Sequence, residues 1–190
     1  MQRVAFAPFI ARSPQGITST WLARRWYLTL KTHRAYSVRQ VSPGDRRLLA
    51  EFMIALNAGS KEQDMPWLRE LTSMLFDRVI VTGNDTSVAF AALEHTQGGD
   101  RVVGVCAYAP SSHESAGFAM AVANSHREEQ VGRTLLATLL RHAKRVGVRR
   151  LTGEMSWSNR PMQLLAQSVG FHLEPLPRDR TRRLLVLELR

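Results

Sequence analysis

Arg127-Glu-Glu-Gln130-Val-Gly132-Arg-Thr-Leu-Leu136 is the stretch from which the rest of this chain is read. It reads as a glycine-containing turn running straight into an amphipathic helix. Apolar residues recur at Val131, Leu135, Leu136, Leu139, Leu140, Ala143 and Val146, the spacing of one helical face. A helix start carries unpaired backbone N–H groups and a partial positive charge, so it suits an anion. Gly132 has no Cβ and would let a phosphate approach the backbone closely. The plainer reading is a surface helix whose positive end is favoured by Glu128 and Glu129.

The neighbouring segments narrow the choice. Arg149-Arg-Leu-Thr-Gly-Glu-Met-Ser-Trp157 is strand-like, Ser158-Asn-Arg-Pro-Met162 opens a second helix, and Ser168-Val-Gly-Phe171 closes it and starts a strand. Upstream, Ser115-Ala-Gly-Phe-Ala-Met-Ala-Val-Ala123 is the strand feeding the turn. Tyr36 to Val41 reads as a first strand, and Ser42-Pro-Gly-Asp45 as a cap before a helix carrying Leu48, Leu49, Phe52, Met53 and Leu56. A second helix is expected over Met65–Phe76, with Pro66 near its first turn. Val79–Val81 and Val88–Leu93 are strand-like, and Gln97-Gly-Gly-Asp100 is a hairpin turn ahead of Val102.

Turn, helix, strand, Asn-led helix and Gly-Phe together resemble the second half of the GNAT N-acetyltransferase domain. The likeness covers roughly Ser37 to Leu189 and looks most like the GNAT domain of bacterial protein lysine acetyltransferases. The acyl-CoA synthetase module of the larger relatives has no counterpart in these residues. The resemblance implies an α/β (α+β) fold: a mixed central sheet of about six to seven strands, two parallel strands splayed apart, and helices on both faces. Residues 1–35 are then a basic N-terminal extension and 36–190 a single GNAT domain. The co-substrate implied is acetyl-CoA, and a homodimer is the assembly the resemblance suggests.

In this family the pattern Arg/Gln-x-x-Gly-x-Gly/Ala wraps the pyrophosphate of acetyl-CoA. Arg127 and Gly132 match it; Gln130 stands where the first glycine belongs and must adopt backbone angles usually given to Gly. The resemblance gives the phosphate amides to Gln130, Val131, Gly132, Arg133 and Thr134. It gives the strand-end contacts with the pantetheine arm to Met120, Ala121 and Val122. Asn159 matches a residue that contacts the cofactor, and equally suits an N-cap for the following helix.

Acetyl transfer to an amine needs a neutral amine, a polarised thioester carbonyl and a proton for the leaving thiolate. Relatives place a basic Glu immediately before the Phe-Ala of the strand ahead of the turn; here that position is Gly117. Glu114 and Glu154 are the remaining candidates. Glu114, near the strand start, reads first as a solvated loop carboxylate, and Glu154, in a central strand, equally suits an ion pair with an arginine. The position that carries an acidic Tyr in many GNAT enzymes is Ala166, with Tyr108, Ser156 and Ser158 as substitutes. His113, His126 and His172 read as surface or loop histidines.

Composition bounds the alternatives. The chain has 190 residues, a formal charge of +10, 44% hydrophobic residues and one cysteine. Cys106 lies in a strand-like run and reads as a small buried residue; an internal disulfide is excluded. No apolar run is long enough to span a bilayer, and no Cys/His cluster has metal spacing. The first acidic residue is Asp45; Arg3, Arg12, Arg24, Arg25, Lys31, Arg34 and Arg39 precede it. The Trp- and Tyr-bearing piece Ile17–Leu30 suits an extension packed on the domain or a partner, against transit-peptide and interfacial-helix readings. The leading expectation is a bacterial, cytoplasmic acetyltransferase acting on a primary amine, small molecule or protein lysine. An acyl-CoA-binding sensor without turnover is the alternative. Nucleic-acid binding by the basic N-terminal segment has no RNA-binding motif behind it, and the positive charge is spread along the chain.

Overall fold

The computed structural model describes residues 26–29, 35–58, 66–81, 87–126, 130–177 and 179–189. Strands β1 (Trp26–Thr29) and β2 (Ala35–Gln40) are followed by helices α1 (Arg46–Ala58) and α2 (Pro66–Thr72). Strands β3 (Val88–Thr96), β4 (Gly99–Pro110) and β5 (Ser115–Val122) come next, then α3 (Val131–Arg145) and β6 (Arg150–Ser156). The described chain ends with α4 (Arg160–Ser168), β7 (His172–Leu176) and β8 (Asp179–Glu188). The strands form one sheet in the order β1-β2-β3-β4-β5-β6-β8-β7. The expected seven strands are β2 to β8. The eighth, β1, arises within the basic extension and pairs antiparallel with β2, Trp26 opposite Val38. Residues 1–25 and 30–34 of that extension lie outside the described residues.

Every neighbouring pair is antiparallel except β5 and β6. A parallel pair needs a crossover, and α3 is that crossover. Its predicted face is buried at Val131, Leu135, Leu136, Leu139 and Ala143, while Val146 lies past the helix end and is exposed. Each fully buried Leu is worth about 1.5–3 kcal/mol, so this stripe fixes α3 on the sheet. On that face α3 packs with Phe118, Met120, Leu151, Met155, Ala166 and Phe171. The opposite face buries Leu49, Phe52 and Met53 of α1 and Leu71 of α2 against Ala119 and Ala121. Helices thus cover both faces of the mixed sheet, as expected.

Two local expectations are corrected. Val79–Val81, read as a strand from its β-branched residues, is the end of a π-helical stretch, Ser73–Val81, that continues α2. Ile80 is buried in the core beside Met74 and Leu75, so tertiary burial overrides propensity there. His126, read as a surface or loop histidine, is 1% exposed. Its ring meets Tyr36 edge-on, and its Nε2 lies 3.5 Å from Glu94 Oε2. Ser42 and Asp45 do form the expected cap: the Ser42 N–H and hydroxyl donate to Asp45 Oδ2 at 2.8 and 2.9 Å.

Candidate active site

The parallel ladder between β5 and β6 is short. It pairs Ser115 with Arg150, Ala116 with Leu151 and Gly117 with Thr152, and stops. Strand β5 continues to Val122 and β6 to Ser156, so the two diverge from Phe118 and Gly153 onward. Gly153 allows the close approach just before they part: a Cβ there would stand 2.7 Å from the Phe118 ring and 2.9 Å from its carbonyl oxygen. A cavity of about 80 Å³ opens in the gap, lined by Met120, Glu154, Ser156 and Asn159 among others.

Backbone parity decides which β5 groups face this gap. The Ala123 N–H donates to Val103 O at 2.8 Å, on the β4 side. Phe118 O points the other way, at Gly153. Both N–H and C=O of a strand residue in an antiparallel ladder point to one side, and the side alternates. Met120 and Val122 therefore turn their backbone groups into the cleft, and Ala121 turns its own to β4. Of the three expected strand-end positions, Met120 and Val122 thus present their backbone groups to the cleft and Ala121 presents its own to β4.

The turn ahead of α3 lies at the same end of β5. Gln130 has φ 57°, the left-handed conformation that its place in a glycine position demands. The amides of Val131, Gly132 and Arg133 open the helix and have no preceding helical carbonyl. The Thr134 N–H is already committed, donating to Gln130 O at 3.0 Å. Gly132 also serves packing, since a Cβ there would stand 3.3 Å from Leu165 Cδ2 of α4. Arg127, the first member of the expected pattern, lies outside the described residues. Asn159 is the N-cap of α4, its Oδ1 accepting the Met162 N–H at 3.2 Å. It borders the cavity from that position.

The carboxylates separate clearly. Glu114 sits on the loop before β5, six residues and about 20 Å of strand from Met120. Its side chain is 54% exposed and its Oε1 lies 3.3 Å from Arg149 Nε. It is a solvated loop carboxylate and is not among the residues lining the cavity. Glu154 does border the cavity, but is held in an ion pair by Arg182 of β8. A third carboxylate, absent from the sequence-based candidates, completes the group. Glu70 of α2 lies on the face of β5 that α2 covers, so that its Oε1 stands 3.6 Å from where a Cβ on Gly117 would be. Burial pushes its carboxyl up and the Glu154 charge adds to this, while Arg182 and Arg78 pull the other way. Sequence spacing could not have joined Glu70 to Gly117; the only signal was the empty Gly117 position itself.

The remaining candidates are placed elsewhere. Tyr108 hydrogen-bonds with His142 Nδ1 of α3 at 2.9 Å, and burial raises its hydroxyl to about 12. Ala166 is fully buried in the core. Ser156 borders the cavity and hydrogen-bonds with the Ser158 hydroxyl at 2.8 Å. Cys106 is buried, its thiol pushed up by desolvation and donating to Leu135 O at 3.4 Å, so it packs as a small core residue, as expected. Among the described residues no group of His, Cys, Asp and Glu could hold a metal, and no helix is long and apolar enough to cross a membrane.

A mixed sheet parted between two parallel strands, with a helix start at the mouth of the gap and helices on both faces, is the fold that the family resemblance implied. The sequence profile of the acetyltransferase (GNAT) family matches residues 51–171, and the chain belongs to that family of acetyl-CoA-dependent N-acyltransferases. It is 27% identical over 158 residues to an acetyltransferase of Pseudomonas aeruginosa, covering 82% of this chain and 85% of that one. The GNAT domain of the Streptomyces lividans protein PAT superposes with a TM-score of 0.62 at 18% identity, covering 87% of this chain and 97% of that one. An acetyltransferase of the GNAT family from Streptococcus pneumoniae gives 0.61 at 14% identity, covering 80% and 99%.

Proposed function

We propose that this chain moves the acetyl group of acetyl-CoA to a primary amine, a lysine side chain or a small aliphatic amine. The observation that carries this reading is the coincidence of two anchors at one end of β5. The outward backbone of Met120 and Val122 suits the amide-bearing pantetheine arm, and the amides of Val131, Gly132 and Arg133 suit the pyrophosphate. A backbone N–H at the cleft can also polarise the thioester carbonyl where negative charge develops. The carboxylates Glu70 and Glu154 lie on the α2 face of the sheet, which gives a cationic amine a side of entry distinct from the nucleotide's.

A sensor that binds acyl-CoA without turnover is suggested by Gly117, where relatives carry Glu. The Glu70 carboxylate beside that position weighs against it. Calorimetric titration with acetyl-CoA, CoA and acetyl-pantetheine, run beside an amine panel, tests the reading. Saturable binding that weakens without the nucleotide pyrophosphate, together with acetyl transfer to an amine, is the expected result. Equal affinity for acetyl-pantetheine would remove the phosphate turn from the binding site. Binding without turnover would restore the sensor.

A further inference from the structure

We propose that Glu70 of α2 is the general base of the acetyl transfer, its carboxylate standing beside the strand position where relatives carry a Glu and this chain has Gly117. The inference rests on the transferase reading. Gly117 is the last β5 residue paired to β6, and the two residues that follow it, Phe118 and Ala119, line the cavity. Into that space α2 inserts Glu70 Oε1, with Met74 Cε 3.8 Å from the same point. A side chain at 117 and Glu70 would compete for one volume; the absence of the first makes room for the second. Glu154 borders the same cleft but already answers Arg182, which leaves Glu70 the carboxylate without a charge partner of that kind among the described contacts.

The charged groups facing Glu70 are Glu154 on β6, Arg182 on β8 and Arg78 on the π-helical stretch. Desolvation and Glu154 make Glu70 a stronger base than an exposed carboxylate, which suits removal of a proton from an ammonium ion. Glu70 accepts one proton from the acceptor R-NH3⁺, and the freed lone pair forms the N–C bond to the thioester carbonyl carbon. The C–S bond breaks with its electron pair leaving on sulfur. The thiolate takes a second proton from the nitrogen, giving the amide and CoA-SH, and Glu70 returns its proton to solvent.

The test uses the whole chain, acetyl-CoA, and lysine peptides and small aliphatic diamines as acceptors. Glu70→Gln is expected to lower kcat/KM by about 10²-fold or more, to abolish the acid limb of its pH profile, and to leave acetyl-CoA affinity within about 2-fold. Glu70→Ala combined with Gly117→Glu returns a carboxylate from the strand side and should recover turnover with an acid limb. An active wild type whose Glu70→Gln variant keeps its rate and its acid limb would overturn the base assignment alone. A wild type that acetylates no acceptor would overturn the transferase reading and the base with it. If Glu70→Gln does not fold, the double variant decides: recovered turnover supports the assignment, and a folded, inactive double variant overturns it.

Discussion

Replacing Gly153 by Ala would put a Cβ 2.7 Å from Phe118 Cε1, 2.9 Å from Cδ1 and 2.9 Å from the Phe118 carbonyl oxygen. Carbon atoms pack at about 3.5–4.0 Å, so roughly 1 Å must be found. The ring could turn away from two of these contacts, but the third is backbone. Strands β5 and β6 must therefore move apart where their ladder has just ended. Overpacking of this kind costs about 1–3 kcal/mol, which lowers Tm by roughly 2–12 °C in a chain of this size. A shift of about 1 Å at the cleft should also lower kcat/KM by about 10–10²-fold. Thermal melting of Gly153→Ala alone and in a Phe118→Leu background measures the coupling. The Ala substitution should cost less once the ring is gone, and still cost something because the carbonyl remains. An unchanged Tm, or an equal cost in both backgrounds, would refute the close approach on which the cleft geometry rests.

Asp45 is paired with Arg39 at 2.5 and 2.6 Å and accepts two bonds from Ser42. Desolvation alone would raise its carboxyl, but Arg39 and Ser42 hold it below the usual range. A folded pKa below the unfolded one means that the stability it contributes is present at neutral pH. That stability is lost as pH falls below about 4. Asp45→Asn should cost roughly 3 kcal/mol at pH 7 and flatten the acid side of a Tm-against-pH curve, since it leaves a largely buried Arg39 unpaired. Asn159→Ala should cost about 1 kcal/mol through loss of the α4 cap, and Asn159→Asp should restore it in the same melt.

The second half of the molecule was legible because its residues carry period and punctuation together. The 3.6 repeat from Val131 to Ala143, the alternation of Leu151, Gly153 and Met155, and the Asn159–Pro161 start each describe one element by local rules alone. Gln130 was legible through the family resemblance instead: its place in the pattern's first glycine position implied a left-handed backbone, and φ 57° is what the turn adopts. What the sequence hid was determined by contacts between distant segments. Glu70 and Gly117 are 47 positions apart, and no spacing rule joins a helix carboxylate to a missing strand side chain. His126 looked like a loop residue until Tyr36 and Glu94 closed over it. The β-branched Val79–Val81 run favoured a strand, and lost to the helix that buries Ile80. Strand parity, which turns Ala121 away from the cleft, depends on hydrogen bonds to β4 that composition cannot reveal.

Acetyl-CoA titrated into isotope-labelled protein, with amide NMR shifts read residue by residue, tests the central claim most directly. Saturable shifts are predicted at Met120 and Val122 and at Val131, Gly132 and Arg133. Ala121 and Thr134, whose N–H groups are directed to β4 and to Gln130, should move far less. Binding whose shifts fall elsewhere, or equally on Ala121 and its neighbours, would contradict the cleft and turn as the acetyl-CoA site.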